Sequence, residues 1–180
     1  MNLKGSNTEK NLFKTFAGES RARNKYTFYA DKARVDGFMY VGDIFDETAG
    51  NEKAHAREVY RRFLDKVSST KNNLIDSALG EAEESKVIYK EFECMARDEV
   101  FDEIADFYKE LQEVEEHHKE RFLKLAKEIK DDTIFKLDKK KEWLCLNCGY
   151  IYEGTEAPMA CPLCKYPISY FKKLDNKKCK

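Results

Sequence analysis

The chain has 180 residues, of which 37% are charged and only 8 are glycine and 3 proline, and this composition is typical of long helices with solvated outer faces. A hydrophobic content of 42% argues against a disordered chain. Charge is uneven, with 23 Lys and Arg against 29 Asp and Glu in residues 1–135 and 10 against 5 in residues 136–180; the basic residues form a tail rather than an aromatic-interleaved face, which disfavours nucleic-acid binding.

Apolar residues recur at three- to four-residue spacing over most of the chain and predict four long helices. The predicted helices cover residues 9–34, 38–67, 72–97 and 100–130. Asp36 and Gly37 form a stop signal after the first helix, and Asp98 is expected to cap the fourth. Long helices joined by short breaks favour an antiparallel four-helix bundle.

The pattern changes at Glu142, after which cysteine, proline, glycine and tyrosine replace the helical periodicity. We therefore predict a helical domain over residues 1–135, a polar linker over 136–141 and a small metal-bound β and loop domain over 142–180. The excess of positive charge after residue 135 is explained either by a solvated lysine tail or by docking of this basic part on an acidic bundle.

Residues 1–10 contain no apolar run of the kind found in signal peptides, and no uncharged apolar stretch approaches the length that spans a membrane. We therefore expect a cytoplasmic protein without a membrane partner. In a reducing compartment, paired cysteines more often indicate a metal site than a disulfide.

Two helical hairpins carry the same pattern of candidate ligands, a lone Glu followed by a Glu-x-x-His pair. The six residues are Glu19, Glu52 and His55 in the first hairpin and Glu81, Glu115 and His118 in the second. The lone Glu precedes the pair by 33 residues in the first hairpin and by 34 in the second. Residues three apart lie on one helix face, so each pair can point at one centre.

This pattern is that of ferritin-like di-iron proteins, in which two helices supply one Glu each and two supply Glu-x-x-His. Carboxylates bridge two cations and imidazole suits iron, whereas the same carboxylates buried without a cation would be costly. One such pair on a charged helix would usually be structural, but two pairs with matched lone Glu residues favour a metal site. His117 points about 100° away from its neighbour His118 and is not expected to bind metal.

The two hairpins differ three residues after the lone Glu. Glu84 stands at this position after Glu81, whereas Ala22 stands there after Glu19. Glu84 is either another exposed acid or a seventh ligand that serves only one oxidation state.

Residues 16–23, 52–56 and 115–122 resemble the metal-binding segments of rubrerythrins, and the likeness extends over nearly the whole chain. The resemblance implies an oxo-bridged di-iron site in which Glu52 and Glu115 bridge the irons and Glu19 and Glu81 are terminal ligands. It further implies that His118 holds one iron in both oxidation states.

The resemblance also implies a ligand exchange at the other iron, which would bind Glu84 when oxidised and His55 when reduced. Tyr26 and Tyr89 would donate hydrogen bonds to ligand carboxylates. The alternative for both tyrosines is a place in the hydrophobic core.

Two Cys-x-x-Cys pairs in the last part of the chain indicate a tetrahedral metal site. The four residues are Cys145, Cys148, Cys161 and Cys164. Their spacing fits zinc and iron equally, but residues 148–154, with Trp143 ahead and Phe171 behind, resemble rubredoxin, which implies an iron electron-transfer centre. Zinc remains a possible substitute, and Cys94 and Cys179 match neither pattern.

The family resemblance implies a peroxidase that reduces hydrogen peroxide to water and protects against oxidative stress. Its electrons would come from an NADH-dependent reductase, often through free rubredoxin, and the protein would be a homodimer or larger. The alternatives are a ferroxidase or iron-handling protein, for which a built-in electron-entry domain is superfluous, and a non-enzymatic zinc-ribbon adaptor, which would leave the helical ligands unexplained.

Overall fold

The computed structural model describes residues 3–174, and the chain divides into two compact units, residues 1–68 and 69–180. The first unit is a helical hairpin, and the second contains a helical hairpin followed by a small sheet. Within the described residues, no helix combines the length and the apolarity that crossing a bilayer requires.

The first unit consists of α1 (Asn7–Val35) and α2 (Met39–Arg57), and α2 continues into a π-helical turn over Glu58–Phe63. The side chain of Ser6 accepts a hydrogen bond from the backbone N–H of Glu9 and so caps α1. Helix α1 ends at the predicted stop signal, where Gly37 takes a φ of +86°. With this π turn included, the second helical segment ends at Phe63, four residues before the predicted end at residue 67.

Small residues let the two helices of the first unit approach each other closely. The buried residues of α1 and α2 are Ala30, Ala33, Gly42, Ala49 and Ala56. Across this contact Arg34 donates hydrogen bonds to Asp43 at 3.0 Å and to Asp46 at 2.6 Å. A side chain at position 42 would disturb this clamp, because an added Cβ would lie 2.9 Å from Cγ of Arg34 and 3.2 Å from the carbonyl oxygen of Ala30.

We expect Gly42→Ala to lower the free energy of unfolding by about 1–3 kcal/mol, the usual cost of overpacking a contact of this kind. Gly50→Ala is the matched control, because Gly50 lies in the same helix with no atom within 4 Å of its added Cβ. That substitution should raise stability by about 0.5–1 kcal/mol through helix propensity alone. Urea denaturation of the two variants should therefore give changes of opposite sign.

In the second unit, α3 (Thr70–Glu83) leads into a π-helical turn (Glu84–Ile88) and α4 (Tyr89–Asp98), and α5 (Asp102–Lys130) packs against all three. The prediction that Asp98 caps the last helix is wrong. The N-cap position belongs to Phe101, which has no side-chain capping bond, because Val100 turns the chain with a φ of +64°. Asp98 is instead the last residue of α4.

The two hairpins repeat one another at a separation of 63 residues. Arg34 binds Asp43 in the first, and Arg97 binds Asp106 at 2.7 Å in the second. The same separation relates the ring contacts of Tyr26 with Phe45 and of Tyr89 with Tyr108, and it also relates Glu52 to Glu115.

The lone Glu residues depart from this separation, since Glu81 follows Glu19 by 62 residues. The second hairpin therefore holds one extra residue between Glu81 and Arg97. A π-helical turn is an α-helix with one inserted residue, and such a turn lies in this interval at Glu84–Ile88. The π turn thus takes up the insertion and keeps the rest of the hairpin in register.

The sheet consists of β1 (Lys136–Cys145), β2 (Ile151–Glu156) and β3 (Phe171–Lys173) in the antiparallel order β2-β1-β3, with a 3₁₀ turn at Ile168–Tyr170. Residues 136–141, predicted to be a linker, form the first half of β1. The core of this part is small and includes two of the predicted metal ligands. Its buried residues are Trp143, Cys145, Ala157, Cys161 and Phe171.

Candidate metal centres

The four cysteines come together from two similar turns. Cys145 and Cys148 lie on the turn after β1, and Cys161 and Cys164 lie on the loop before the 3₁₀ turn. Each turn is closed by a backbone hydrogen bond to the carbonyl of its first cysteine, from Gly149 in one and Lys165 in the other, both at 2.9 Å. Gly149 and Lys165 also share a left-handed φ, +77° and +64°.

The sulfur atoms have the spacing that a tetrahedral metal requires. All four lie within 4.8 Å of one another, and two of the Sγ–Sγ distances, Cys145–Cys164 and Cys148–Cys161, are 3.7 Å. A tetrahedral ion with metal–sulfur bonds of about 2.3 Å places its ligands about 3.8 Å apart. The donor set therefore fits a mononuclear four-cysteine iron.

Two thiols of this cluster, those of Cys164 and Cys148, have pKa values shifted in opposite directions. A hydrogen bond from the Asn147 side chain, helped by the backbone N–H of Tyr166, lowers the pKa of Cys164 to about 6. At Cys148 the backbone N–H of Tyr150 favours the thiolate, but burial and the other thiols outweigh it and raise the pKa to about 12. Four sulfurs this close cannot all ionise without a cation, which is the role that a bound metal fulfils. Asn147 was not among the predicted site residues, although its place inside the first Cys-x-x-Cys pair was a signal.

The first carboxylate cluster joins α1 and α2, and it brings together Glu19, Glu52 and His55. Nδ1 of His55 lies 3.0 Å from Glu52 and 3.8 Å from Glu19. The pKa of Glu19 is raised, first by its hydrogen bond with Glu52 and then by burial, while the pKa of Glu52 is lowered by the hydrogen bonds with Glu19 and His55. Within this pair a proton is therefore favoured on Glu19 over Glu52.

The second cluster joins α3 and α5, and it brings together Glu81, Glu115 and His118. Nδ1 of His118 lies 2.7 Å from Glu115 and 3.9 Å from Glu81, which repeats the order of distances in the first cluster. Burial, followed by the hydrogen bond with Glu115 and the charge of that carboxylate, raises the pKa of Glu81. Each cluster thus has two carboxylates and one imidazole, a donor set that fits iron.

The remaining predicted residues surround the second cluster without joining it. Glu84 starts the π turn, and its charge helps to raise the pKa of both Glu81 and Tyr89, but it is not among the residues whose ligand atoms lie together. Burial is the main reason why the pKa of Tyr89 is raised. His117 lies outside the cluster and is exposed.

Cys94 and Tyr26 are not among the residues whose ligand atoms cluster. Cys94 is a free, exposed thiol on α4. Tyr26 packs against Phe45 with ring centroids 6.1 Å apart, in the same way that its repeat partner packs in the second hairpin. Cys179 lies outside the described residues.

Replacing Glu81 with glutamine should stabilise the metal-free protein at neutral pH. A folded pKa above the unfolded value means that Glu81 favours folding only while protonated, and this contribution is lost as the pH rises through the folded pKa. Glutamine removes the charge, so the melting temperature at about pH 7 should rise by roughly 2–4 °C, the shift given by about 1 kcal/mol in a chain of this size.

Circular dichroism melts of Glu81→Gln should show that the gain disappears at about pH 4, where the wild-type side chain is itself protonated. The iron-loaded variant should instead melt below the iron-loaded wild type, because it lacks a ligand. Glu83→Gln, an exposed neighbour, is the control and should change neither state. A destabilised metal-free Glu81→Gln protein would contradict the raised pKa of Glu81.

Comparison with known proteins matches both parts of the chain. A family model described as Rubrerythrin matches residues 10–126, and one described as Rubrerythrin, rubredoxin-like domain, matches residues 143–172. Rubrerythrin of Nitratidesulfovibrio vulgaris is 41% identical over 185 residues, which cover 96% of each chain. Rubrerythrin-1 of Clostridium acetobutylicum is 40% identical over 191 residues, or 97% of each chain. A solved structure of partially reduced nigerythrin aligns with 94% of this chain and 87% of its own at 29% identity, with a TM-score of 0.37.

Proposed function

This chain belongs to the rubrerythrin family, a family of di-iron proteins with a rubredoxin-like domain, and we propose that it is a peroxidase that reduces hydrogen peroxide to water. The fold class, with a ferritin-like helical part and a rubredoxin-like C-terminal part, and the iron cofactors are those that the sequence predicted. The reaction consumes two electrons and two protons and yields two water molecules. One observation carries the proposal: a single chain combines two matched Glu/His clusters with a four-sulfur site.

We propose that the two carboxylate clusters contribute to one di-iron centre and that the cysteines hold a separate iron. The proposed ligands are Glu19, Glu52, His55, Glu81, Glu84, Glu115 and His118 for the di-iron centre and Cys145, Cys148, Cys161 and Cys164 for the mononuclear iron. Glu84 and His55 would serve one iron in turn, in the oxidised and the reduced protein. Bound iron supplies reducing electrons and Lewis acidity toward the peroxide oxygens.

The protein side chains hold and release the protons that accompany this chemistry. The pKa of Glu19 is raised first by its hydrogen bond with Glu52 and that of Glu81 first by burial, and a bound cation would favour the ionised form of both carboxyl groups. Tyr89 has a raised pKa because of burial and the nearby carboxylates, so it stays protonated and serves as a hydrogen-bond donor to a ligand carboxylate. Tyr26 takes the equivalent position in the first hairpin.

Electrons would enter at the four-cysteine iron from a cytoplasmic NADH-dependent reductase, directly or through rubredoxin. We further propose that the protein works as a homodimer or a larger assembly. Both units carry large apolar side chains in contact with solvent, such as Phe28 and Leu79, each 67% exposed. Large apolar side chains exposed on both units support the association of this chain with a second copy.

Anaerobic stopped-flow spectroscopy tests the proposed activity. The iron-loaded protein is fully reduced and mixed separately with hydrogen peroxide and with air-saturated buffer, while the visible band of the oxidised four-cysteine iron is followed. A peroxidase predicts fast return of the band with peroxide and much slower return with oxygen. Equal rates with both oxidants would contradict the proposal and favour iron handling, and an iron-loaded sample without a coloured band would favour a zinc module.

A further inference from the structure

We propose that the first unit contains a binding site for a small organic anion that carries a phosphate group and a flat ring. The site is a groove between α1 and α2, and it uses none of the metal ligands. This inference goes beyond the peroxidase activity and does not depend on it.

The groove has a volume of about 370 Å³, within the range of small-molecule sites. One wall is aromatic, because the rings of Phe16 and Tyr60 stack with centroids 4.5 Å apart and planes inclined by 26°. The buried Ala56 leaves room beside them. A flat ring of a ligand can pack against this wall.

Four cationic side chains from both helices line the same groove. They are Arg23, Lys53, Arg57 and Arg61. Arg23 donates a hydrogen bond to the neutral Asn24, and the nearest carboxylate of Arg57, on Glu58, lies 3.8 Å away and beyond hydrogen-bond distance. Between residues 3 and 174, no carboxylate forms an ion pair with Arg23, Lys53 or Arg61. Among the described residues, three of the four groove cations therefore have no ion pair, and Arg57 has one, with Glu58 at 3.8 Å.

The second hairpin shows how the same position is filled when no ligand is needed. At the separation of 63 residues, Lys53 corresponds to Glu116 and Ala56 corresponds to Lys119. Lys119 forms an ion pair with Glu116 and is only 15% exposed, so its side chain occupies the place that Ala56 leaves open.

The comparison between the hairpins extends to a second pair of positions, since Arg57 corresponds to Glu120. Two acids of the second hairpin are thus replaced by two cations in the first. The internal carboxylate that balances the second hairpin is missing from the first, so an external anion would supply the balancing charge. Guanidinium groups bind phosphate through paired hydrogen bonds, which makes a phosphate the anion best suited to a groove with three arginines.

Isothermal titration calorimetry of the iron-loaded, full-length protein tests the site with three probes: phenyl phosphate, inorganic phosphate and phenol. We expect phenyl phosphate to bind with one site per chain, inorganic phosphate to bind at least tenfold more weakly and phenol not to bind detectably. Affinity should fall as salt is added, because the attraction between charges is screened. Arg57→Glu and Arg61→Glu should each raise the dissociation constant of phenyl phosphate at least tenfold.

Arg62→Glu is the control, because its guanidinium lies 5.2 Å from the ring of Phe63 and does not line the groove. It should bind phenyl phosphate like the wild type. The proposal would be overturned if Arg62→Glu weakened the affinity for phenyl phosphate as much as the groove variants do, or if phenyl phosphate showed no saturable binding. Binding of a glutamate-rich peptide in its place would assign the groove to a protein partner. Equal affinity for inorganic phosphate would overturn the ring-bearing ligand. Because the readout is binding, failure here leaves the peroxidase test unaffected.

Discussion

Replacing Glu115 with alanine is expected to abolish reoxidation of the reduced protein by peroxide and to remove iron from the helical part of the chain. Glu115 is the most buried of the six clustered carboxylate and imidazole ligands, with 9% of its surface exposed, and it lies 2.7 Å from His118. As a proposed bridging ligand it contacts both metals, so its loss affects both. Removing only a hydrogen-bond partner of a ligand typically costs 10–100-fold in metal affinity, and we expect the loss of the ligand itself to cost more than about 100-fold.

The measurement is iron content after desalting, together with single-turnover oxidation by peroxide. Glu110→Ala is the matched control, because Glu110 is an exposed acid on the same helix. The control should keep all its iron, and Glu115→Ala should keep only the iron bound by the cysteines, whose visible band is a second readout in the same sample. A Glu115→Ala protein with full iron content and wild-type oxidation would sink the proposed ligand assignment.

The ligand clusters could be predicted from the sequence because helical geometry makes them local. Glu52 and His55 are three residues apart, and so are Glu115 and His118, so each pair falls on one helix face whatever the rest of the fold does. The one-residue difference between the intervals of 33 and 34 was also visible, but the π turn that absorbs it was not. Periodicity alone does not show where along a helix an inserted residue is taken up.

The predictions that failed depended on the conformation of a turn or on the pairing of separate segments, neither of which periodicity shows. Asp98 is a good capping residue, yet the hairpin connection places Phe101 at the start of the last helix. The polar segment 136–141 has no apolar alternation, because nearly all of it faces solvent, and it becomes part of a strand because Lys136 pairs with Glu156 and Lys141 with Gly154 on β2. The groove of the first unit was hidden for the same reason, since Arg23 and Lys53 become neighbours only when the two helices pack.

Replacing Cys161 with alanine should separate electron entry from peroxide chemistry. Cys161 is fully buried, and its sulfur lies 3.7 Å from that of Cys148. The core around it is too small to fold well by itself, and structural metal binding in comparably small zinc-finger peptides contributes about 10–16 kcal/mol to folding. The variant should therefore lose the visible band and the ordered sheet. The helical clusters contain no cysteine and should keep their iron.

Two kinetic measurements on Cys161→Ala should then diverge. Oxidation of the pre-reduced helical iron by peroxide should proceed in a single turnover at a rate close to that of the wild type. Steady-state consumption of peroxide with an external reductase should fall to background, because electrons no longer pass through the cysteine site. Cys94→Ala removes an exposed thiol of α4 and should change neither measurement. If Cys161→Ala sustained full steady-state turnover, electrons would have to reach the helical iron directly from the donor, and the sheet would be a structural module instead of the electron entry point.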